Sequence, residues 1–308
     1  MSSTALISGD AHPQLAQRIA EQCGAASVPA TVARFADGET RVRIEGDVGG
    51  ADVYLVQPTS PPVNEHLMSL ALLADAARAA GAARVTAVVP YFGYARQDAR
   101  KSSGEPRSAQ LACRLLEAAG VERVIALELH SPALDSAFRV PLVHLQADEV
   151  ALPAIRAWRL GALAVVAPDA GGLKRAQRYA GALGAPLAVV TKTRTGPDAV
   201  ATLDVLGAVR GRDCVIVDDL VSTGSTIAGA AQALRTAGAA SVHAFFVHAA
   251  MGADALERFA AAGVQRLATT DSVPLEPRRG LEVVSVASLL AEQICEKGSG
   301  PFSGTCFA

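Results

Sequence analysis

The sequence predicts an α/β protein of two similar domains, each a mostly parallel sheet covered on both faces by helices. Three observations support this class. At 308 residues the chain is long for one domain and comfortable for two. Its apolar stretches are short and lack polar alternation, which is typical of strands buried on both faces. A helical Ala-rich pattern that ends in Gly and leads into such a stretch recurs in both halves.

The recurring junction marks four helix-to-strand units. Its Gly suits a left-handed cap at the end of a helix, and the aliphatic residues behind it suit a strand. The intervals between the copies are too irregular for a solenoid but consistent with two related halves. The four copies read AAGAARV at 79–85, AAGVERV at 118–124, TAGAASV at 236–242 and AAGVQRL at 261–267.

Continuous apolar runs predict the strands and, with the junctions, the domain limits. We expect one domain over 1–147, a second over 148–295, and a flexible Gly/Ser-rich tail over 296–308. The predicted strands lie, in chain order, at 52–57, 85–90, 123–129, 163–168, 187–191, 214–217 and 242–249.

Composition excludes several classes of partner. The formal net charge of -2 gives no overall attraction for nucleic acid or for an anionic membrane. The N-terminus lacks the basic start and apolar stretch of a signal peptide, and no apolar run reaches the roughly 18 to 20 residues of a membrane span. The five cysteines are scattered and form no CxxC pair, which favours reduced thiols. We therefore expect a cytoplasmic protein whose ligand sites are local.

Polar side chains concentrate directly after the predicted strands. In parallel sheets this carboxyl edge is where ligands bind. The positions are Gln57 and the segments 91–98, 128–130, 169–175, 192–194 and 218–226.

The stretch VIVDDLVSTGSTI, residues 215–227, combines an anion-binding loop with two carboxylates. After a strand predicted to end at Val217, hydroxyls and small-residue amides precede a helix predicted to start near Thr226, which suits a phosphate. The loop is not a Walker A motif, because no lysine enters it. Asp218 and Asp219 need another partner, either sugar hydroxyls or Mg²⁺. A phosphorylated sugar offers both an anion and hydroxyls.

This strand, acidic pair and loop resemble the 5-phosphoribosyl-1-diphosphate (PRPP) loop of type I phosphoribosyltransferases. Nearly the whole chain resembles the ribose-phosphate diphosphokinase, or PRPP synthetase, family. That resemblance implies two phosphoribosyltransferase-like domains, Mg²⁺ as cofactor, and transfer of the diphosphoryl group of ATP to the 1-hydroxyl of ribose 5-phosphate, giving PRPP and AMP. The further stretches that carry it are FADGETRVRI (35–44), VVPYFGYARQDAR (88–100), LHSPAL (129–134) and PDAGGLKRA (168–176).

The resemblance also implies roles for individual residues. The ATP site would consist of Phe35, Asp37, Gly38, Glu39, Arg96, Gln97, Asp98 and His130. The ribose 5-phosphate site would consist of Arg194, Asp218, Asp219, Ser222, Thr223, Gly224, Ser225 and Thr226. The Mg²⁺ ligands would be His130, Asp169, Asp218 and Asp219. Because the family's first nucleotide loop reaches across a subunit interface, a homo-oligomer of at least a dimer is implied, with a hexamer also open.

Two cations occupy the predicted catalytic loop. Lys192 and Arg194 lie on the same side of an extended segment by the period of two, and they match the family's functional lysine and arginine. Cations there can neutralise charge that develops on phosphoryl oxygens, although the spacing alone also suits a solvated loop. Lys174 and Arg175, at the start of another helix, either bind phosphate or are solvated.

Two alternatives and several departures stay open. A non-catalytic, synthetase-like regulatory subunit should have lost ligands, whereas a phosphoribosyltransferase would leave YFGYARQD unexplained. Glu128 stands where the family usually has Asp, and KTR at 192–194 where it has KRR. TGPDAVATL at 195–203 replaces a Pro/Asn-bearing stretch, and the loop STGST lacks the acidic first residue of many phosphate-activated members. Phosphate activation, ADP inhibition and the range of diphosphoryl donors therefore stay open.

Overall fold

The structure, a computed structural model, describes residues 3–100, 102–193, 202–252 and 254–295. Contacts divide the chain into two units. Unit 1 runs to Gln146 and includes Ser272–Pro274 and the segment from Val286; unit 2 comprises Ala147–Asp271 and Leu275–Ser285. Helices and mostly parallel strands build both units, which confirms the predicted α/β class. The boundary between residues 147 and 148 stays a prediction. In these ranges no helix is long and apolar enough to cross a membrane.

Unit 1 is built around a parallel sheet. Its strands are β1 (Thr4–Ser8), β2 (Ala26–Ser27), β3 (Ala30–Arg34), β4 (Thr40–Ile44), β5 (Asp52–Val56), β6 (Arg84–Val89), β7 (Arg123–Leu127) and β8 (Leu142–Leu145). Its helices are α1 (Pro13–Cys23), α2 (Val63–Ala79), α3 (Ser108–Ala118) and the 3-10 helix η1 (Pro132–Ser136). The sheet order is β2-β1-β5-β6-β7-β8, with every pair parallel, and β3 and β4 form a separate antiparallel hairpin. Strands β5 and β7 are buried along their whole length, as an apolar run predicts.

Unit 2 is also built around a mostly parallel sheet, in which one edge strand is antiparallel to its neighbour. Its helices are α4 (Asp148–Ala157), α5 (Leu173–Leu183), α6 (Ser225–Thr236) and α7 (Asp254–Ala261). Its strands are β9 (Leu163–Ala167), β10 (Leu187–Thr193), β11 (Thr202–Leu206), β12 (Asp213–Val221), β13 (Ser241–Ala249), β14 (Arg266–Thr270) and β15 (Leu281–Val284). The order is β11-β10-β9-β12-β13-β14-β15, and β11 is antiparallel to β10 while the other pairs are parallel. The last helix, α8 (Ala287–Cys295), belongs to unit 1, where it packs against α1.

The four recurring junctions form as predicted. Gly81, Gly120, Gly238 and Gly263 all have φ between +81° and +98°, and each follows a helix and precedes a strand. Only Gly adopts this conformation without steric cost. The junction therefore turns the chain from a covering helix back into the sheet in both units.

Several elements were not predicted. Strands β3 and β4 alternate between partly buried and exposed residues and lie outside the parallel sheet, so no continuous apolar run marks them. Strands β8 and β15 are short edge strands. The predicted end of β12 at Val217 is wrong: the strand continues to Val221, because Asp218, Leu220 and Val221 stay in register with β13.

The amino ends of β12 and β13 are joined by a hydrogen-bonded chain of side chains. The Ser241 hydroxyl donates to Asp213 Oδ1 at 2.5 Å, so its oxygen accepts from His243 Nε2, which lies 2.8 Å away. His243 is 2% exposed, and its Nδ1 atom has no hydrogen-bond partner among the described residues. Burial lowers the pKa of His243, with Arg266 adding to the effect and Asp213 opposing it. The fold therefore holds this imidazole neutral.

Acid should weaken unit 2 through His243. Its pKa is 6.5 in the unfolded chain and lower in the folded one, so its contribution to stability is present above about pH 6.5 and is lost as pH falls through the folded pKa. Asp213 stays ionised in this window, because hydrogen bonds from Ser241 and Gly161 lower its pKa from 3.8. His243→Gln keeps an N–H donor for Ser241 but does not titrate. In urea unfolding between pH 8 and pH 5, the wild-type free energy of unfolding should fall more steeply than that of His243→Gln; parallel curves would contradict this assignment.

Candidate functional site

The predicted phosphate loop lies between β12 and α6 at the carboxyl edge of the unit 2 sheet. Helix α6 begins at Ser225 with Gly224 as its N-cap, one residue before the predicted start. The side chains of Thr223, Ser225 and Thr226 are exposed, and Ser222 is half-buried. The hydroxyls of Thr223 and Ser225 lie 3.0 Å apart, and Thr223 Oγ1 accepts from the Ser225 amide at 3.4 Å. Hydroxyls thus lie at the amino end of a helix, an arrangement that can bind a phosphate.

Gly224 is required by both the backbone and the packing of this loop. Its φ is +76°, and a Cβ atom at this position would lie 2.9 Å from Cε1 of the fully buried Phe259 and 3.2 Å from Ala255. Arg258, on the same helix α7, donates to the Thr223 carbonyl oxygen at 3.2 Å. Helix α7 therefore supports the loop from behind.

The acidic pair lies directly before this loop and is nearly buried. The side chains of Asp218 and Asp219 are 14% and 7% exposed. Arg175, on α5, contacts both carboxylates: its Nη1 lies 3.4 Å from Asp218 Oδ1, and its Nη2 lies 3.3 Å from Asp219 Oδ1. Burial and the charge of Asp219 raise the pKa of Asp218 well above its ordinary value, while Arg175 acts in the opposite direction.

Arg175 is the site residue that the sequence analysis left undecided. Its side chain is 9% exposed and contacts both carboxylates of the acidic pair, so it is not a solvated cation. Its neighbour Lys174 is exposed. The signal in the sequence was the helical position: Arg175 is adjacent to Ala176 and four residues before Tyr179, which mark the buried face of α5.

The acidic pair belongs to a group of three carboxylates. Asp169 also acts on Asp218 electrostatically, and it accepts from the Gly172 amide at 3.1 Å. Three carboxylates thus interact at this edge of the unit 2 sheet, and Arg175 contacts two of them. In the ranges that the structure describes, no three His, Cys, Asp or Glu side chains converge to hold a metal by themselves. Mg²⁺ commonly takes one or two carboxylates and completes its shell with water and substrate phosphate, so this oxygen-rich donor set suits Mg²⁺.

The first group of predicted nucleotide residues lies on the turn of the β3–β4 hairpin in unit 1. The Phe35 amide donates to the Glu39 carbonyl oxygen at 2.8 Å, and Asp37 Oδ1 accepts from the Glu39 amide at 3.0 Å. Gly38 has φ +93° at the tip. The whole turn is exposed, and Phe35 is 50% exposed, so its ring is accessible to a ligand or a partner.

The second group follows β6. Gly93 lets two loops touch: its amide donates to Thr59 Oγ1 at 2.6 Å, and a Cβ atom there would lie 2.6 Å from the Thr59 carbonyl oxygen. Tyr94 has φ +66° and donates from its hydroxyl to Asn64 Oδ1. This tight turn leads to Arg96 and Gln97, which are exposed, and to Asp98, which is half-buried.

The remaining predicted residues divide between the two units. His130 follows β7 in unit 1 and is exposed, whereas Asp169, Asp218 and Asp219 belong to unit 2. Lys192 is exposed near the end of β10, and Arg194 lies outside the described residues. Gln57, although it follows β5, is fully buried and binds within unit 1: its Nε2 donates to Asp10 at 2.8 Å, and its Oε1 accepts from the Ala11 amide.

Comparison with known proteins gives consistent matches over nearly the whole chain. Residues 4–120 match the family model for the N-terminal domain of ribose phosphate pyrophosphokinase, and residues 146–273 match that for the phosphoribosyl transferase domain. A ribose-phosphate pyrophosphokinase of Gloeobacter violaceus is 42% identical over 293 residues, covering 94% of this chain and 88% of the relative. Ribose-phosphate pyrophosphokinase 1 of Listeria monocytogenes is 38% identical, covering 94% and 92%. The crystal structure of phosphoribosylpyrophosphate synthetase from Mycobacterium smegmatis matches with a TM-score of 0.89 at 34% identity, covering 95% of this chain and 98% of that one.

Gly224→Ala should damage the phosphate loop more than backbone strain alone explains. Gly184→Ala is the matched control, because Gly184 has φ +63° but nothing within 4 Å of a new Cβ. Both variants should lose about 1 to 2 kcal/mol of stability from the left-handed backbone. Gly224→Ala should lose about 1 to 3 kcal/mol more from contact with Phe259.

Calorimetric titration with ribose 5-phosphate should show binding weakened at least about tenfold in Gly224→Ala, a cost of about 1.4 kcal/mol, and unchanged in Gly184→Ala. Equal effects of the two substitutions on both stability and binding would show that the contact with Phe259 is not what shapes the loop.

Proposed function

This chain belongs to the ribose-phosphate pyrophosphokinase family and is an enzyme of that class, and we propose that it transfers the diphosphoryl group of ATP to the 1-hydroxyl of ribose 5-phosphate. The products are PRPP and AMP. The observation that carries the substrate assignment is the continuous segment from Asp218 to Ser225, in which two nearly buried carboxylates precede an exposed hydroxyl-rich loop. A sugar phosphate is the ligand class that offers hydroxyls to the carboxylates and an anion to the loop.

In unit 2 the loop holds the 5-phosphate and the acidic pair orients the sugar. The hydroxyls of Ser222, Thr223, Ser225 and Thr226 and the amino end of α6 bind the phosphate oxygens. Asp218 and Asp219 accept hydrogen bonds from ribose hydroxyls. Arg175 keeps these carboxylates in place without neutralising them completely, so they remain good acceptors.

In unit 2, Asp169, Asp218 and Asp219 would supply oxygen ligands to Mg²⁺, and in unit 1 His130 would serve as a Mg²⁺ ligand. When bound, the ion neutralises phosphoryl oxygens of the nucleotide and thereby makes the transferring phosphorus more electrophilic. The protein's own contribution is to bind and orient the sugar and the nucleotide, since phosphoryl transfer depends mainly on positioning and on charge neutralisation.

In unit 1 the two exposed loops bind ATP. The ring of Phe35 stacks on adenine, and Asp37, Gly38 and Glu39 present backbone and carboxylate groups beside it. Arg96 offers a planar fork to the nucleotide, with Gln97 and Asp98 alongside. Because the hairpin turn of Phe35 projects into solvent, we infer that it serves a neighbouring subunit, in a homo-oligomer of at least a dimer.

Lys192 and Arg194 complete the proposed machinery by stabilising the group in transfer. Lys192 is exposed near the carboxyl end of β10, at the same edge of the unit 2 sheet as Asp218 and the phosphate loop. Its ammonium group is therefore available to developing negative charge. We also place the protein in the cytoplasm, which the free state of Cys23, Cys113, Cys214 and Cys295 supports.

The reaction is tested directly by product analysis. Purified protein with ATP, Mg²⁺ and ribose 5-phosphate should form AMP and PRPP in equal amounts, and chelation of the metal should stop both. Reactions without ribose 5-phosphate control for hydrolysis of ATP, and a panel of nucleotides with and without inorganic phosphate defines the donor. A folded, oligomeric sample that forms no AMP would refute the assignment.

Lys192→Ala should separate chemistry from binding. We expect kcat to fall about 100- to 1000-fold, the loss typical of removing one transition-state donor, while KM for ribose 5-phosphate changes little. Arg114→Ala removes an exposed cation from α3 and serves as the control. An unchanged kcat in Lys192→Ala would remove this lysine from its proposed role.

A further inference from the structure

The segment that carries His130 leaves β7 through a strained turn. Glu128, two residues earlier, has φ +41° and is 4% exposed. A non-glycine residue adopts this left-handed conformation at a cost, and the cost persists only where surrounding contacts hold it. Specific contacts must therefore hold the backbone of Glu128 in this conformation.

Strand β8 supplies them, partly with a side chain. The Glu128 amide donates to the Leu145 carbonyl oxygen at 2.8 Å, and the next amide, that of Leu129, donates to His144 Nε2 at 2.9 Å. Within the strands, Ala126 is in register with His144 and Leu127 with Leu145. The His144 imidazole therefore accepts a hydrogen bond in place of a backbone carbonyl group. The hydrogen bonding between β7 and β8 thus continues past the end of β7.

The other ring nitrogen of His144 binds the far side of the same segment. Because the Leu129 amide can only donate, Nε2 must be the unprotonated nitrogen and Nδ1 carries the proton. Nδ1 therefore donates to Asp135 Oδ1, which lies 2.8 Å away. Asp135 belongs to η1, whose first turn is capped by Ser131: its Oγ accepts from the Ala133 amide at 3.2 Å.

His144 thus binds the chain immediately before His130 and again five residues after it. We propose, on the basis of the proposed function, that His144 is a positioning residue for the nucleotide and Mg²⁺ contacts of His130. Two bonds from one ring close a short loop around His130 and fix the direction in which its backbone presents the side chain. A ligand that binds a pre-ordered His130 loses less conformational freedom on binding.

The test compares His144→Leu with His144→Gln. Leucine removes both hydrogen bonds at similar bulk, whereas the glutamine amide retains an acceptor for Leu129 and a donor for Asp135. In calorimetric titrations with ATP and Mg²⁺, His144→Leu should bind about 10- to 100-fold more weakly, the range for outer-shell partners of metal ligands. His144→Gln should recover to within about threefold, and affinity for ribose 5-phosphate should stay within about twofold in both, since the proposed contacts of His130 are to nucleotide and metal.

A double-mutant cycle with His130→Ala decides whether His144 acts through His130. If it does, His144→Leu should have little further effect on ATP affinity once His130 is alanine. His66→Leu, which removes another hydrogen-bonded imidazole from unit 1, is the control and should leave ATP affinity unchanged. Additive effects of His144→Leu and His130→Ala would overturn the proposal.

Amide hydrogen exchange supplies a readout that needs neither turnover nor nucleotide. The Leu129 amide should lose protection in His144→Leu and regain it in His144→Gln, while exchange in the unit 2 sheet stays unchanged. Unchanged protection of Leu129 in His144→Leu would overturn the positioning role even if the enzyme makes PRPP. Conversely, the wild type could form no AMP while the exchange pattern is as expected. That result would contradict the proposed function and not the positioning role of His144.

Discussion

The unit 2 site depends on the hydrogen-bonded ladder between β12 and β13, which continues to Val221 and Ala249. Because Asp218 and Asp219 lie inside this ladder, their backbone is fixed before any ligand binds. The loop that follows therefore starts from a rigid strand and ends on α6, with α7 behind it. Burying two neighbouring carboxylates in this way is unfavourable unless a cation accompanies them, and Arg175 meets that requirement.

This arrangement resolves the conflict between an anion-binding loop and adjacent carboxylates. The two groups occupy successive parts of one strand-loop-helix unit: the carboxylates are nearly buried beside a guanidinium, and the hydroxyls of Thr223 and Ser225 are exposed at the amino end of a helix. Repulsion between the acidic pair and a bound phosphate is reduced because Arg175 offsets part of their charge. In the proposed complex, the two ends of a ribose phosphate would be held by opposite electrostatic means.

The sequence predicted the parts of the fold and site that follow from local pattern. Apolar runs located β5, β6, β7, β9, β10, β12 and β13 but not β1, which lies inside the unit 1 sheet. The Gly junctions at residues 81, 120, 238 and 263 located turns between helices and strands. The apolar pattern did not predict structure that depends on strand pairing. Strand β12 continues through two aspartates because β13 lies alongside it, and the partly exposed residues of β3 and β4 form no continuous apolar run. The helical position of Arg175 indicated that it is buried, but the contacts of Arg175 and His144 are with residues outside their own elements and could not be assigned from the surrounding sequence.

The packing of α8 against α1 has a consequence for the order in which the protein matures. Helices α1 and α8 both belong to unit 1, whereas the whole of unit 2 lies between them in the chain. On the ribosome, the sheet of unit 1 is made before unit 2, but α1 meets its partner only after unit 2 has been synthesised. Until then the face of α1 that α8 covers is open to other surfaces, so chaperones can bind there, and a chain that stops before α8 would keep that face uncovered.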